Sequence, residues 1–157
     1  NLELLKDSKK INFKKRQEIS DHIKLYSFYA IGLASVDEIL DLNILQASLL
    51  SMKRAVEKLP VKPNLTLIDG NFTPSGLKNC KTIINGDEKV KVISAASIVA
   101  KVSRDFYMKS LNIRFPGYGW EKNVGYGVEQ HKVAIYKLGI NTEHRRSFKP
   151  IYNILCL

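Results

Sequence analysis

Cysteine is scarce, with Cys80 and Cys156 the two thiols in 157 residues, and their separation suits no metal motif. No charged-then-apolar leader opens the chain, so both thiols are expected free in a reducing cytoplasm rather than paired in a secreted fold. No apolar run approaches the roughly 20 residues that span a bilayer, so no membrane partner is expected. Low-complexity tracts, useful internal repeats and a G-x-x-x-x-G-K-[ST] loop are all lacking. That sets aside solenoids, linkers and a nucleotide-triphosphate loop. Acidic residues are also few: 15 Asp and Glu stand against 25 Lys and Arg, a net charge of +10.

What is present suits a single domain over residues 1–157, with 45% hydrophobic and 25% charged residues. The basic excess is uneven. Residues 101–149 hold ten Lys and Arg against four acids, which favours a polyanionic partner such as nucleic acid over a merely soluble surface. The chain opens on Asn1 rather than Met, so its true beginning is expected elsewhere.

Hydrophobic spacing predicts a helix over 13–26, with Ile19, Ile23 and Tyr26 on one face. The β-prone run 28–34 contains Gly32 and predicts a strand with a tight neighbour. Ser35-Val36-Asp37-Glu38 is a capping box. The helix it opens carries Ile39, Leu42, Leu45, Leu49, Met52, Val56 and Leu59 as one core stripe, and Pro60 ends it. Residues 65–70 predict a buried strand closing in a turn, with Asp69 at its carboxyl end, where open α/β sheets place ligands. Asp-Gly is equally a turn dipeptide, so a plain turn aspartate stays open.

A second strand over 81–84 leads to an acidic turn at Asp87. A helix is then expected from Ser94, as N-cap, to about Phe115, with Ile98, Val99, Val102 and Phe106 inward. Its small first turn (Ala95, Ala96, Ser97) and free N–H groups suit a phosphate. A carboxylate beside such a start implies a cation between the two. Asp105 has Lys101 and Lys109 four residues to either side, which fits a solvated ion pair.

The loop 116–127 interleaves glycine with Tyr118, Trp120 and Tyr126. These suit stacking on sugars or bases, or simple folding of the loop onto the core. A helix over 128–138, closed by Gly139, places His131 on its apolar stripe, as ligand or as core histidine. His144-Arg145-Arg146 adds a basic cluster. The alternation of elements argues an α/β sandwich. Carboxylates at strand ends beside a basic, aromatic second half suggest metal-assisted phosphodiester chemistry, since carboxylates suit Mg²⁺ or Mn²⁺.

The strings D-S-K-K (7–10), N-I-L-Q-A (43–47), L-I-D-G-N (67–71), N-G-D (85–87), S-A-A-S-I-V-A-K-V-S-R-D (94–105), G-Y-G (125–127) with His131, and H-R-R-S-F (144–148) occur in order. Together they resemble bacterial ribonuclease HII over nearly the whole chain. The resemblance implies an α/β fold, a ribonuclease H-like mixed sheet flanked by helices. It implies endonucleolytic cleavage of RNA in RNA–DNA hybrids and incision at single ribonucleotides in duplex DNA, leaving 3′-hydroxyl and 5′-phosphate ends. Asp69 and Asp87 match two of four metal-binding carboxylates for Mn²⁺ or Mg²⁺ in a two-metal mechanism.

Tyr126 matches a tyrosine that packs on the sugar beside the ribonucleotide. Ser8, Lys9, His131, Arg145 and Arg146 match positions near the phosphate backbone. Asp105 lies in a matching string, but about 16 Å along the helix from Ser94 and between lysines, so it is set aside as a ligand. The resemblance also implies a cytoplasmic monomer.

The family's opening D-E-x-G-R-G strand has no counterpart: Asp-Glu occurs only at 37–38 and 87–88. The first strands, with two carboxylates, are therefore expected to be missing, and these residues alone to show little or no nuclease activity. The competing readings are a non-catalytic nucleic-acid-binding domain, for which charge and aromatics suffice, and a ribosome-associated basic protein.

Overall fold

The computed structural model describes residues 12–155, so Ser8, Lys9 and Cys156 lie outside the described residues. The element order is α1 (Phe13–Tyr26), α2 (Val36–Glu57), β1 (Thr66–Asp69), β2 (Cys80–Ile83), α3 (Gly86–Lys89), α4 (Lys91–Arg114), α5 (Trp120–Asn123), α6 (Glu129–Leu138) and α7 (Lys149–Leu155). The chain divides into two compact units. One comprises the residues up to Ala34 with Leu45–Ser103, the other Ser35–Ile44 with Arg104–Leu157.

In the first unit α1 takes the predicted bounds. Asn12 caps it by accepting the Lys15 N–H at 2.9 Å. β1 and β2 pair in parallel, Thr66 opposite Cys80 and Asp69 opposite Ile83. Ile68 is the buried residue of β1 and Asp69 is exposed, so the face shared with Asp69 is the outer one. Ala47, Leu49, Ile68, Ile93, Ile98, Val99 and Val102 are all buried here, an aliphatic core that area burial stabilises.

Residues 28–34 form no strand. Their carbonyls are taken by side chains of α2 and its C-terminal extension instead: Arg54 donates to Leu33 O at 2.8 Å and Lys58 Nζ to Ile31 O at 3.4 Å. The tight neighbour at Gly32 is α2 itself, since a Cβ there would lie 1.9 Å from Ser51 O and 2.5 Å from Ala55 N.

The capping box forms as expected, Glu38 N–H donating to Ser35 Oγ at 3.1 Å and Ser35 N–H to Glu38 Oε2 at 2.8 Å. The single core stripe beyond it does not. α2 kinks at Asn43 (φ 67, ψ 166), a conformation that residues with a side chain rarely adopt. Leu42 and Leu45 are exposed while Leu49 is buried.

α4 begins at Lys91, three residues before Ser94. α3 ends just ahead of it, with the Val90 N–H on Gly86 O at 2.8 Å. Ser94 is therefore buried inside the helix and does not cap it. That removes the expected phosphate site at a small-residue helix start. Ile98, Val99 and Val102 point inward as expected, but Phe106 is exposed and Asp105 takes the buried position. The solvated ion-pair reading of Asp105 therefore fails on burial. Phe115 still bonds Leu111 O at 2.8 Å, and the helix stops before Pro116.

The core of the second unit is Met108, Leu111, Tyr118, Trp120, Ile135 and Ile151. Tyr118 and Trp120 stack at 5.1 Å between centroids, so two of the three loop aromatics belong to the interior. α6 starts one residue later than expected, and Gly139 closes it with φ 80. α7 was not signalled by the spacing.

Candidate functional site

Asp69 ends β1 because the strand stops at Gly70, whose N–H still bonds Ile83 O at 3.1 Å. The carboxylate turns toward the segment after β2. Asn85, in the left-handed region (φ 54, ψ 44), reverses the chain into the single turn α3. There the Gly86 N–H donates to Asp69 Oδ1 at 2.8 Å, next to Asp87. The sequence separates the two aspartates by eighteen positions; this hydrogen bond brings the carboxylate of one to the residue preceding the other.

Gly86 makes the approach possible. A Cβ at that position would sit 2.6 Å from Ile93 Cδ1 and 3.4 Å from Asp69 Oδ1. Asp69 also lines a groove whose other walls include Leu45, Leu49 and Met52 of α2, with Phe72 and Ile84.

Two exposed or half-exposed carboxylates are hard oxygen donors, the kind that Mg²⁺ and Mn²⁺ take. Asp69 Oδ2 has no protein partner among the described residues, and Oδ1 is held still by an amide. No group of three or more His, Cys, Asp or Glu gathers among the described residues, so Asp69 and Asp87 could supply at most part of an ion's shell. A pair fits an ion that keeps several waters and completes its shell with substrate phosphate oxygens.

In the second unit, Tyr126 is 71% exposed. Consecutive left-handed residues, Val124 (φ 51) and Gly125 (φ 81), lift it out. Asn123 organises the turn: its Oδ1 accepts the Gly125 N–H at 2.9 Å, its carbonyl accepts the Tyr126 N–H at 2.8 Å, and its Nδ2 donates to Tyr118 O at 2.7 Å. His131 is buried, with Nδ1 3.0 Å from Tyr118 O. That is the placing of a satisfied core histidine, away from solvent.

His144 stacks on His131 at 5.5 Å and 14°. Burial first, then the neighbouring His131, lowers its pKa from the usual 6.5 to about 4. Arg145 is half-buried, and burial followed by Arg104 lowers its pKa, with Tyr126 opposing. Arg146 is exposed. Asp105 belongs to this unit and Asp69 and Asp87 to the other. Sequence reasoning read Gly86 only as part of the acidic turn and gave no role to Asn123 or Arg104; of these two, Asn123 carried a local signal, since Asn side chains bond the backbone two residues on.

The family profile described as Ribonuclease HII matches residues 2–151. A Ribonuclease HII of Pelagibacter ubique is 53% identical over 154 residues, 97% of this chain and 82% of that protein. One of Cereibacter sphaeroides is 48% identical over 152 residues, 96% of this chain and 72% of that protein. The crystal structure of the ribonuclease H2 from Pyrococcus horikoshii OT3 is similar with a TM-score of 0.74 at 20% identity, covering 96% of this chain and 79% of that one. At that identity the likeness is one of fold.

Proposed function

The chain belongs to the ribonuclease HII family, and from that premise we propose that it is the nuclease body of a metal-dependent endonuclease acting on RNA–DNA hybrids. Its substrates would include duplex DNA carrying a single ribonucleotide, with 3′-hydroxyl and 5′-phosphate products. The observation that carries this reading is the Gly86 N–H to Asp69 Oδ1 bond of 2.8 Å, which brings the Asp69 carboxylate to the residue preceding Asp87.

Mg²⁺ or Mn²⁺, when bound, supplies positive charge to the scissile phosphodiester and makes water a better nucleophile at neutral pH. Asp69 and Asp87 would hold it. Gly86 fixes one oxygen of Asp69 so that the other is presented in a single direction, which lowers the ordering needed at binding. Tyr126, displayed on a turn that Asn123 braces, would pack on a sugar. Arg145 and Arg146 would meet phosphates, contacts that position a duplex and make its binding salt-dependent. His131, being buried, would act on that surface only through the turn it supports.

Asp69→Asn is the decisive variant. Its amide oxygen can still accept from Gly86, while the charge is gone. Even outer partners of a metal ligand are worth about 10–100-fold in affinity, so Mn²⁺ binding by calorimetry should weaken at least that much. In a version with a D-E-x-G-R-G segment restored, incision of a duplex with one ribonucleotide should fall at least about 100-fold by the same reasoning. Unchanged Mn²⁺ binding and unchanged incision would overturn the reading. Salt-sensitive duplex binding that ignores both metal and Asp69→Asn would leave a non-catalytic binding domain.

A further inference from the structure

Three successive side chains of the second unit make three separate attachments. Glu143 turns to α4, where its Oε2 accepts the Tyr107 hydroxyl at 3.0 Å and its Oε1 lies 3.9 Å from Arg114. His144 enters the aromatic core, 5.0 Å from the Tyr118 ring and 5.3 Å from Trp120. Arg145 is half-buried and interacts with Arg104 and Tyr126. Arg104 in turn donates to Val124 O, in the turn that carries Tyr126, at 3.3 Å. Asn141 fixes the backbone between them. Its Oδ1 accepts the Glu143 N–H at 2.9 Å and its carbonyl the His144 N–H at 3.2 Å.

Glu143 is out of place by charge. It directly precedes the basic cluster His144-Arg145-Arg146, where an acid weakens the attraction for a polyanion. Its side chain is also only 19% exposed, and a carboxylate is costly to shield from water without partners. Tyr107 is the partner that offsets this. Burial first, and then the bond to Glu143, raise the pKa of the Tyr107 hydroxyl, so it stays a donor throughout the neutral range. A hydrogen bond to an ionised acceptor is stronger than one between neutral groups. Arg114, 59% exposed, contributes less, as solvated ion pairs do.

We infer that Glu143, held by Tyr107, is a positioning residue for nucleic-acid binding: it ties the 141–146 segment to α4 so that Arg145 and Tyr126 present one surface to a strand. This rests on the proposed function, in which those two side chains meet phosphate and sugar. An arginine carried on a fixed backbone loses less freedom when it takes a phosphate.

The test turns on sign. By charge alone, removing an acid from this surface should tighten the binding of a polyanion. Binding of a DNA duplex containing one ribonucleotide is measured by fluorescence anisotropy, without divalent metal, across about 50–200 mM salt. Glu143→Ala and Glu143→Gln remove the same charge, but only the glutamine can still accept from Tyr107. Glu143→Ala should bind about fivefold more weakly than wild type, the scale of one lost hydrogen bond. Its slope of log K against log salt should be shallower by about one unit, as when one phosphate contact is lost. Glu143→Gln should keep wild-type affinity and slope.

Alanine and glutamine variants that behave alike, or an alanine variant that binds more tightly, would overturn the inference while the proposed function stood. So would weaker binding of the alanine variant at an unchanged slope, the mark of a residue that only supports the fold. Should Glu143→Ala fail to fold, Tyr107→Phe is read instead, since it keeps the ring and changes no charge. Weaker binding with a shallower slope supports the inference, and wild-type affinity and slope overturn it. A wild type without salt-dependent binding would remove this inference and the proposed nucleic-acid surface together.

Discussion

In the unit that carries β1 and β2, the buried hydrophobic residues are aliphatic and Asp69 and Asp87 keep contact with solvent. In the unit built on the second half of α4, the interior is aromatic and takes two histidines with it. The difference follows from what each charge has to do. A carboxylate is costly to bury, so Asp69 stays exposed at a strand end and borrows a single amide. A histidine that is to support a turn can be buried, because a neutral imidazole loses far less on leaving water than a carboxylate does. The first unit therefore displays ionised groups on an inert frame, and the second hides polar groups to shape a surface on which arginines and Tyr126 stand.

The contrast is most easily broken in the aromatic core. Trp120 is 2% exposed and contacts Phe115, Tyr118, His131 and His144. Trp120→Ala should cost about 4 kcal/mol in urea unfolding, in line with other buried aromatic truncations. Asp69→Asn, measured beside it, should change stability by less than about 1 kcal/mol, as an exposed group does. Equal losses would mean that the two units do not divide labour in this way.

In the first unit the sharpest probe is Gly32. Alanine there would drive its Cβ into the α2 backbone at Ser51 and Ala55, atoms that cannot rotate away. A loss of about 3 kcal/mol is expected, the upper range for overpacking. A thermal shift near zero would show that the 28–34 segment can lift off α2.

Gly32 also marks where sequence reasoning ran out. The bounds of α1, the capping box at Ser35, both strands and the stop at Gly139 rest on local rules of capping and periodicity, and these were legible. Residues 28–34 have β-prone composition, but tertiary partners, Arg54 and Lys58, claim their carbonyls. Composition cannot reveal that. The start of α4 was misplaced because the small residues at 94–97 look like a helix opening, while the preceding turn α3 already feeds the helix from Lys91. At the candidate site, the strand end and the acidic turn were readable as separate features. Their joining through Gly86 was not, because a glycine chosen for close approach carries no periodic signal. Arg104 was hidden for a similar reason: its place in a matching string says nothing of which loop its side chain supports.

The smallest expected effect tests whether the buried histidines are a structural device. His144 is enclosed, with Asn141 around Nδ1, the backbone N–H at 3.1 Å and the side-chain oxygen at 3.0 Å. Its Nε2 has no protein partner among the described residues. Protonating the ring would bury a charge beside His131, hence the pKa near 4 in the folded protein. In the unfolded chain the group titrates near 6.5, so between these values the unfolded state binds more protons. Stability contributed by neutral His144 is thus fully present above pH 6.5 and drains away as pH falls toward 4. At pH 5 the loss relative to pH 7 should be about 2 kcal/mol from this group. His144→Phe keeps the stacking area and cannot titrate, so urea midpoints at pH 7 and 5 should converge for the variant more than for the wild type. An identical pH dependence in both would assign the acid sensitivity to other groups, and the second unit would then share the hydrated electrostatics of the first.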